Sequence, residues 1–228
     1  DCIHPGVSIK YPSEGGNRGL NILSCVGNEA IIMNGEAKNS VGFVSGKSGR
    51  FSEQIIIHFE KKVRERISIN DKILIKSLGV GLKIKNFENI FCKSLSPQIF
   101  NKMNIKIKNT KLNIPVTHSI PEHLVGAGSG LTSESGSLHI QTTDLNEMKK
   151  YKLNNLRLGD FVYVENYDSS YQHGFLRKAW SIGIVGQTNG PRAGYGPGLT
   201  ILMSSKTNDG IPKLNSNANI VNYLKFKK

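Results

Sequence analysis

The chain has 228 residues, of which 38% are apolar, and this is enough for one large or two modest domains without covalent staples. Its three cysteines are widely spaced and lack a C-x-x-C pair, which argues against a disulfide framework or a structural zinc site and favours a reducing cytoplasm. No stretch approaches the roughly 20 apolar residues of a membrane span, so we expect no membrane partner.

The net charge of +13 raises nucleic acid or another anionic surface as a partner. Lysine dominates this charge, because 23 of the 30 basic residues are Lys. Lysine binds phosphate as a point charge, whereas arginine recognises it with a planar, bidentate fork. The charge is therefore weak evidence for specific recognition, and a general compositional bias is the alternative explanation.

Short strand patterns recur along the chain, separated by clusters of Gly, Asn, Ser and Pro. The predicted strands span residues 20–26, 29–33, 41–45, 54–59, 72–77, 81–85, 105–108, 138–142, 161–165, 180–186 and 199–204. Helices are predicted at residues 97–103, with Ser96 as N-cap, and at residues 144–151, opened by Asp144, with one further turn at 60–66. The sequence predicts a mainly β protein with a few short helices.

A nine-residue pattern occurs twice, with Asn70-Asp71 at the centre of one copy and Gly159-Asp160 at the centre of the other. In each copy a residue that tolerates left-handed backbone precedes an Asp that can bond its own backbone, and an alternating strand follows. We interpret both Asp residues as turn-forming rather than catalytic. The pattern predicts two β-barrel or β-sandwich-like units: a small barrel-like domain with an N-terminal extension over residues 1–85, and a larger β domain over residues 86–228.

The Gly46-Lys47-Ser48 tripeptide invites a phosphate-loop interpretation, but its spacing is wrong. The Walker motif needs a glycine where Val41 stands, and it must lead into a helix. A strand pattern follows instead, so we predict a hairpin turn.

Lysines are concentrated between residues 72 and 111, where there are nine of them and one acidic residue. Period-two alternation places Lys83 and Lys85, and likewise Lys106 and Lys108, on one face of a predicted sheet with isoleucines on the other. A basic face of this kind can follow phosphates, and it is the basis of a nucleic-acid-binding alternative. A solvated face without a partner is the simpler interpretation.

Histidines and carboxylates raise the possibility of a divalent metal that activates water. Pro121 interrupts any helix that would join His118 to Glu122, and the other spacings specify no metal. Ordinary hydrogen bonds are the alternative. The residues considered are His118, Glu122, His123, His139, Asp144, Asp168 and His173.

Two glycine-dense loops, at residues 125–130 and 190–198, can form anion-binding nests of backbone amides or simple tight turns. The second loop lies between two strong strand patterns that would hold it rigidly. We therefore predict a site for a small polar or anionic ligand, open to a hydrolytic activity, in the second domain. The predicted site residues are His118, His139, Gln187, Arg192, Tyr195, Gly128, Gly194 and Gly196.

Several segments, in order and at compatible spacing, resemble an uncharacterised prokaryotic family, domain of unknown function 4438. They are residues 4–8, 17–28, 34–38 with the glycines at 42, 46 and 49, then 156–160, 181–185 and 194–200. The resemblance implies a mostly β, two-domain fold in a bacterial or archaeal protein, and it supplies no reaction. Family members begin well before the equivalent of residue 4, so we expect this chain, which starts without Met, to be an N-terminally truncated fragment.

The resemblance also implies departures from the family pattern. A His and an Asp are common in the family at the positions of Gln187 and Asn189, a His at Tyr195, and acidic residues near Ser137 and His139. These residue types bind metals or move protons, so their replacement weighs against an inherited activity of that kind. A structural or assembly subunit, including a homo-oligomer, is a further alternative.

Overall fold

The computed structural model describes residues 4–49, 54–130, 137–190 and 194–224. Strand accounts for 38% and helix for 17%, and a sheet curls into half a barrel, which confirms the mainly β prediction. In chain order the strands are β1 (Val7–Ile9), β2 (Glu29–Ile32), β3 (Val41–Ser48), β4 (Gln54–His58), β5 (Ile73–Ile75), β6 (Ile90–Cys92), β7 (Lys106–Lys108), β8 (Lys111–Val116), β9 (His118–Ile120), β10 (Leu138–His139), β11 (Phe161–Asp168), β12 (Gly174–Val185), β13 (Gly198–Ser205) and β14 (Gly210–Leu214). The helices are α1 (Glu14–Leu23), α2 (Lys61–Arg64), α3 (Pro97–Lys102), α4 (Leu145–Lys150) and α5 (Ile220–Tyr223).

The first sheet is antiparallel and has the order β1-β4-β3-β2-β5. Strand β3 alternates between buried and more exposed residues along its whole length, as expected for a strand with one face on a core. The core beneath it contains Ala30, Ile32, Ala37, Val44, Ile55, Ile57 and Phe59.

The second sheet has the order β10-β13-β12-β11-β9, and β6 also pairs with β13. Strand β9 runs parallel to β11, while the other pairs are antiparallel. Separate apolar clusters cover the two faces of this sheet. Strand β13 is therefore buried at every position, and its sequence is apolar and small rather than alternating.

The third sheet has the order β14-β8-β7 and packs against the second. Its inner face contributes Leu112, Ile114 and Val116 to the cluster that also contains Phe161 and Trp180. Its outer face faces solvent.

Both predicted helix caps are confirmed. Ser96 accepts a hydrogen bond from the Ile99 amide at the start of α3, and Asp144 accepts from the amides of Asn146 and Glu147 at the start of α4. Each cap satisfies donors that the first helical turn leaves without an intrahelical partner.

Two strand predictions are wrong. Residues 20–23 end helix α1, which Ser13 caps by accepting from the Gly16 amide, and the apolar run that resembled a strand is one side of this helix. Residues 81–85 form no strand, because Gly79 and Gly81 both have positive φ and the Leu82 amide closes a turn on the Gly79 carbonyl.

The twin turns have the same geometry, which confirms their interpretation. Asn70 and Gly159 have φ values of 76° and 81°. In each copy an Asp carboxylate accepts from a backbone amide three residues earlier, at 2.9 Å: Asp71 from Ser68, and Asp160 from Arg157. The two Asp residues therefore build turns in separate sheets.

The first and second sheets meet where β3 crosses the start of β13. The Lys47 amide donates to Thr200 Oγ1 at 2.8 Å, and the Thr200 hydroxyl returns a bond to the Lys47 carbonyl at 3.3 Å. Gly46 and Gly186 are in backbone contact here, since a Cβ on Gly46 would lie 3.0 Å from the Gly186 Cα. No helix in the described ranges is long and apolar enough to cross a membrane.

Candidate ligand-binding site

The two glycine-dense loops lie against each other beside the start of β13. The Ala127 amide donates to the Gly194 carbonyl at 2.8 Å, and the Gly126 amide donates to the His139 carbonyl at 2.6 Å. A Cβ on Gly126 would lie 2.4 Å from the Gly194 carbonyl oxygen, so only glycine permits this approach. We call residues 126–130, 137–141, 186–190 and 194–198 the loop junction.

His139 is buried in the loop junction, with 9% of its surface exposed. Its Nδ1–H donates to the Gly196 carbonyl at 3.1 Å, and its ring packs on Tyr195 with 5.5 Å between centroids. Burial lowers the pKa of His139, although the bond to Gly196 opposes this effect. The ring is therefore neutral at pH 7, and its Nε2 presents a lone pair that can accept a hydrogen bond.

Gln187 follows β12 and is 1% exposed. Its backbone amide bonds the Gly198 carbonyl at 3.3 Å, which fixes the residue across the start of β13. Among the described residues, the Oε1 atom of Gln187 has no hydrogen-bond partner. An unpartnered buried acceptor costs about 1–3 kcal/mol, so it calls for an explanation.

The predicted glycines are needed for close backbone contacts. Gly128 has φ of 103°, and a Cβ there would lie 2.2 Å from the Ser137 carbonyl oxygen. A Cβ on Gly196 would lie 2.2 Å from the Ile140 carbonyl oxygen. Gly194 also has positive φ, and its amide contacts Gln141 Oε1 at 3.2 Å. These amides bond protein carbonyls and amides, so the loops are closed turns rather than open anion nests.

The structure brings together most of the predicted site and separates one member from it. His139, Gln187, Tyr195, Gly128, Gly194 and Gly196 all lie in the loop junction. Arg192 lies outside the described residues. His118 lies on β9, at the opposite edge of the sheet from His139 on β10, and bonds Thr117 Oγ1 at 2.9 Å.

The tripeptide Gly46-Lys47-Ser48 ends strand β3, which pairs with β4, so the hairpin prediction is confirmed. It also reaches the loop junction, because the Ser137 hydroxyl donates to the Lys47 carbonyl at 3.4 Å. The first sheet therefore supports the loop junction from one side.

The metal candidates are dispersed. Within the described ranges, no group of three or more His, Cys, Asp or Glu side chains could hold a metal ion. Asp144 caps helix α4, and His123 pairs with Glu147 at 2.7 Å on the surface. The remaining carboxylate, Asp168, accepts from the Ser170 amide and hydroxyl at a turn.

A buried serine network was not predicted from the sequence. The Ser181 hydroxyl contacts those of Ser169 and Ser204 at 3.0 Å, and His173 Nδ1 lies 3.0 Å from Ser169 Oγ. The Ser204 hydroxyl continues the network to Asp168 at 3.4 Å. These residues come from three strands or their connections, so local sequence gave no signal; the mutual hydrogen bonds explain their burial structurally.

The predicted basic sheet face is wrong in its composition. Lys106 and Lys108 lie on strand β7, whereas Lys83 and Lys85 lie in an irregular segment. Ile107, predicted to be on an inner face, is 63% exposed because β7 is a short edge strand.

Two family models match the chain: the N-terminal "Domain of unknown function (DUF4438)" over residues 1–101 and its C-terminal counterpart over residues 102–224. The chain belongs to the DUF4438 family. This confirms the resemblance seen in the sequence, while the boundary predicted at residues 85 and 86 stays a prediction.

A solved structure titled "Crystal structure of TM1086" is similar to the chain, with 36% identity and a TM-score of 0.91. The similarity covers 98% of this chain and 78% of that one. No curated protein matches the chain. In the DUF4438 pattern described above, the distinctive positions 137, 139, 187 and 195 all fall in the loop junction.

Proposed function

We propose that the loop junction binds a small polar ligand that donates a hydrogen bond to Gln187 Oε1. The observation that carries the proposal is the unpartnered burial of this oxygen on a rigid strand end. A protein that keeps a buried acceptor unsatisfied loses stability, and such losses are typical of sites that gain their partner from a ligand.

The chemistry nearby favours a ligand with hydroxyl or amino groups. Neutral His139 offers a second acceptor at Nε2, and the Tyr195 hydroxyl can donate or accept. A sugar, polyol or nucleoside carries donors of this kind. The anionic version of the site depends on Arg192, and a hydrolytic activity with an activating divalent metal stays a prediction from the sequence.

Thermal-shift measurements with D-ribose, D-glucose, glycerol, adenosine, citrate, phosphate and divalent metal ions would test the proposal. We expect a saturable rise in Tm with at least one hydroxyl-bearing compound, since a ligand that binds only the folded state stabilises it. Gln187→Met should remove the rise, because Met fills a similar volume without an acceptor.

His118→Gln is the matched control, because this histidine lies on the opposite edge strand. It should leave the ligand response unchanged. If no compound gives a saturable response, or if both variants lose it equally, the loop junction is not the binding site.

We also propose that the protein acts in the cytoplasm of a bacterium or archaeon, where thiols stay reduced. Support comes from Cys25 and Cys92, which are free cysteines. Burial raises the pKa of Cys92 to about 12, which suits an unreactive thiol. A homo-oligomer is compatible with this proposal and is tested by light scattering.

A further inference from the structure

The outer face of the third sheet forms a groove of about 760 Å³, well away from the loop junction in the fold. Strand β7, strand β8, the end of β14 and the termini of helices α3 and α5 line it. This volume lies within the range of ligand-binding clefts.

Strand register explains why the groove is basic. Lys106 on β7 pairs with Asn113 on β8, and Lys213 on β14 pairs with Pro115 on β8, so these four side chains share the outer face. Lys108 projects from the same side of β7, about 6.6 Å further along the strand.

Positive charge in the groove is not neutralised locally. Lys102 at the end of α3 joins Lys106, Lys108 and Lys213, and the described lining contains no carboxylate. The lysines of β7 and β14 are separated by strand β8, which sets them about 10 Å apart. One phosphate group cannot contact them all, whereas a chain of phosphates can.

The groove also has the other elements of a nucleic-acid site. Tyr223 and two prolines provide flat apolar surface, and five asparagines provide amides that both donate and accept. The Tyr223 ring is braced from behind by Phe161, with 5.2 Å between centroids. Unpaired bases stack on braced aromatic rings, and their edges bond amides.

We propose that this groove binds single-stranded nucleic acid, with the lysines following the phosphates and Tyr223 stacking on a base. Lysine rather than arginine at every basic position predicts weak sequence preference and strong salt dependence. The proposal keeps Lys106 and Lys108 from the sequence hypothesis and replaces Lys83 and Lys85 with Lys102 and Lys213. It is independent of the loop junction.

Fluorescence anisotropy with a labelled short oligo(U), over a series of salt concentrations, tests the proposal. Lys106→Ala/Lys213→Ala should weaken binding about ten-fold or more at low salt and flatten the salt slope by about 1.4, or about 0.7 for each phosphate contact. Lys83→Ala/Lys85→Ala removes the same charge from exposed sites outside the groove and should change neither value.

Tyr223→Leu separates stacking from charge. It should weaken oligo(U) binding about five-fold or more, since stacking on an aromatic ring contributes at that level, while Tyr223→Phe should keep the affinity. Unchanged Tm values would show that the variants fold. Absence of binding at low ionic strength, equal losses in the two lysine pairs, or equal affinity for heparin with no effect of Tyr223→Leu would overturn the proposal.

Discussion

The side-chain oxygen of Gln187 lies directly over the α-carbon of Gly198, so close that a Cβ on Gly198 would be 1.9 Å from it. The backbone of Gln187 also bonds Gly198, through its amide. Gln187 is therefore held at both its main chain and its side chain, yet its oxygen gains no donor within the described part of the chain. A rigid acceptor without a partner is suited to a ligand.

Gln187→Met should stabilise the protein in the absence of ligand. The substitution removes the unsatisfied oxygen and keeps most of the buried volume, so the free energy of unfolding should rise by about 1–3 kcal/mol. Urea unfolding followed by circular dichroism measures this change. A loss of more than about 1 kcal/mol would mean that Gln187 is a structural residue.

Gly198→Ala should destabilise the protein by about 1–3 kcal/mol, because the added methyl group collides with Gln187 Oε1. In the double variant Gln187→Ala/Gly198→Ala the collision is absent, so the two effects should not add. A double-mutant cycle in urea measures this coupling. Additive effects would show that the two residues are not in contact.

Asp71 and Asp160 should differ in importance although their turns are alike. Asp160 is fully buried and also bonds the Arg157 guanidinium at 3.0 Å and the Asn219 amide at 2.7 Å. Asp160→Ala leaves those donors without their acceptor and should cost about 3–5 kcal/mol, whereas Asp71→Ala removes mainly the turn bond and should cost about 1 kcal/mol. Equal losses in chemical unfolding would contradict this ranking.

Stability should fall as the pH drops below about 6.5, the ordinary pKa of histidine. Burial lowers the pKa of His139 in the folded state, so the unfolded chain binds more protons in this range and acid favours unfolding. Burial has the same effect on His4, His58 and His118.

His139→Gln should therefore flatten the dependence of the unfolding free energy on pH, by at most about 1.4 kcal/mol per pH unit. Urea unfolding between pH 5 and pH 7.5 provides the measurement. His118→Gln should flatten it as well but leave ligand binding intact. A slope that His139→Gln does not change would rule out the neutral, buried ring.

Local sequence was sufficient for the strands with clear alternation and for the capped helices. Ser96 with Pro97, and Asp144, mark the beginnings of α3 and α4, because a cap acts within one turn. The residues 20–23 were mispredicted since three glycines in α1 weaken its helical signal, and contact with the first sheet and the Ser13 cap decide the outcome.

The candidate site was predictable only in part, because its assembly depends on strand order. The glycine loops and His139, Gln187 and Tyr195 were recognised from residue type. The parallel pairing of β9 with β11 carries His118 to the far edge, and a pairing between distant segments has no local signature. The contact of Gln187 with Gly198 likewise arises from the register of β12 and β13, which a bulge after Ile182 shifts.

Chemical-shift mapping by ¹H–¹⁵N NMR, with whichever hydroxyl-bearing compound raises the Tm, tests the central claim most directly. Amides of Gly126, Gly194, Gly196 and Gly198 and the side-chain NH₂ of Gln187 should shift in proportion to occupancy, and Gln187→Met should abolish the shifts. Saturable shifts confined to residues outside the loop junction, with Gln187 unaffected, would contradict the account.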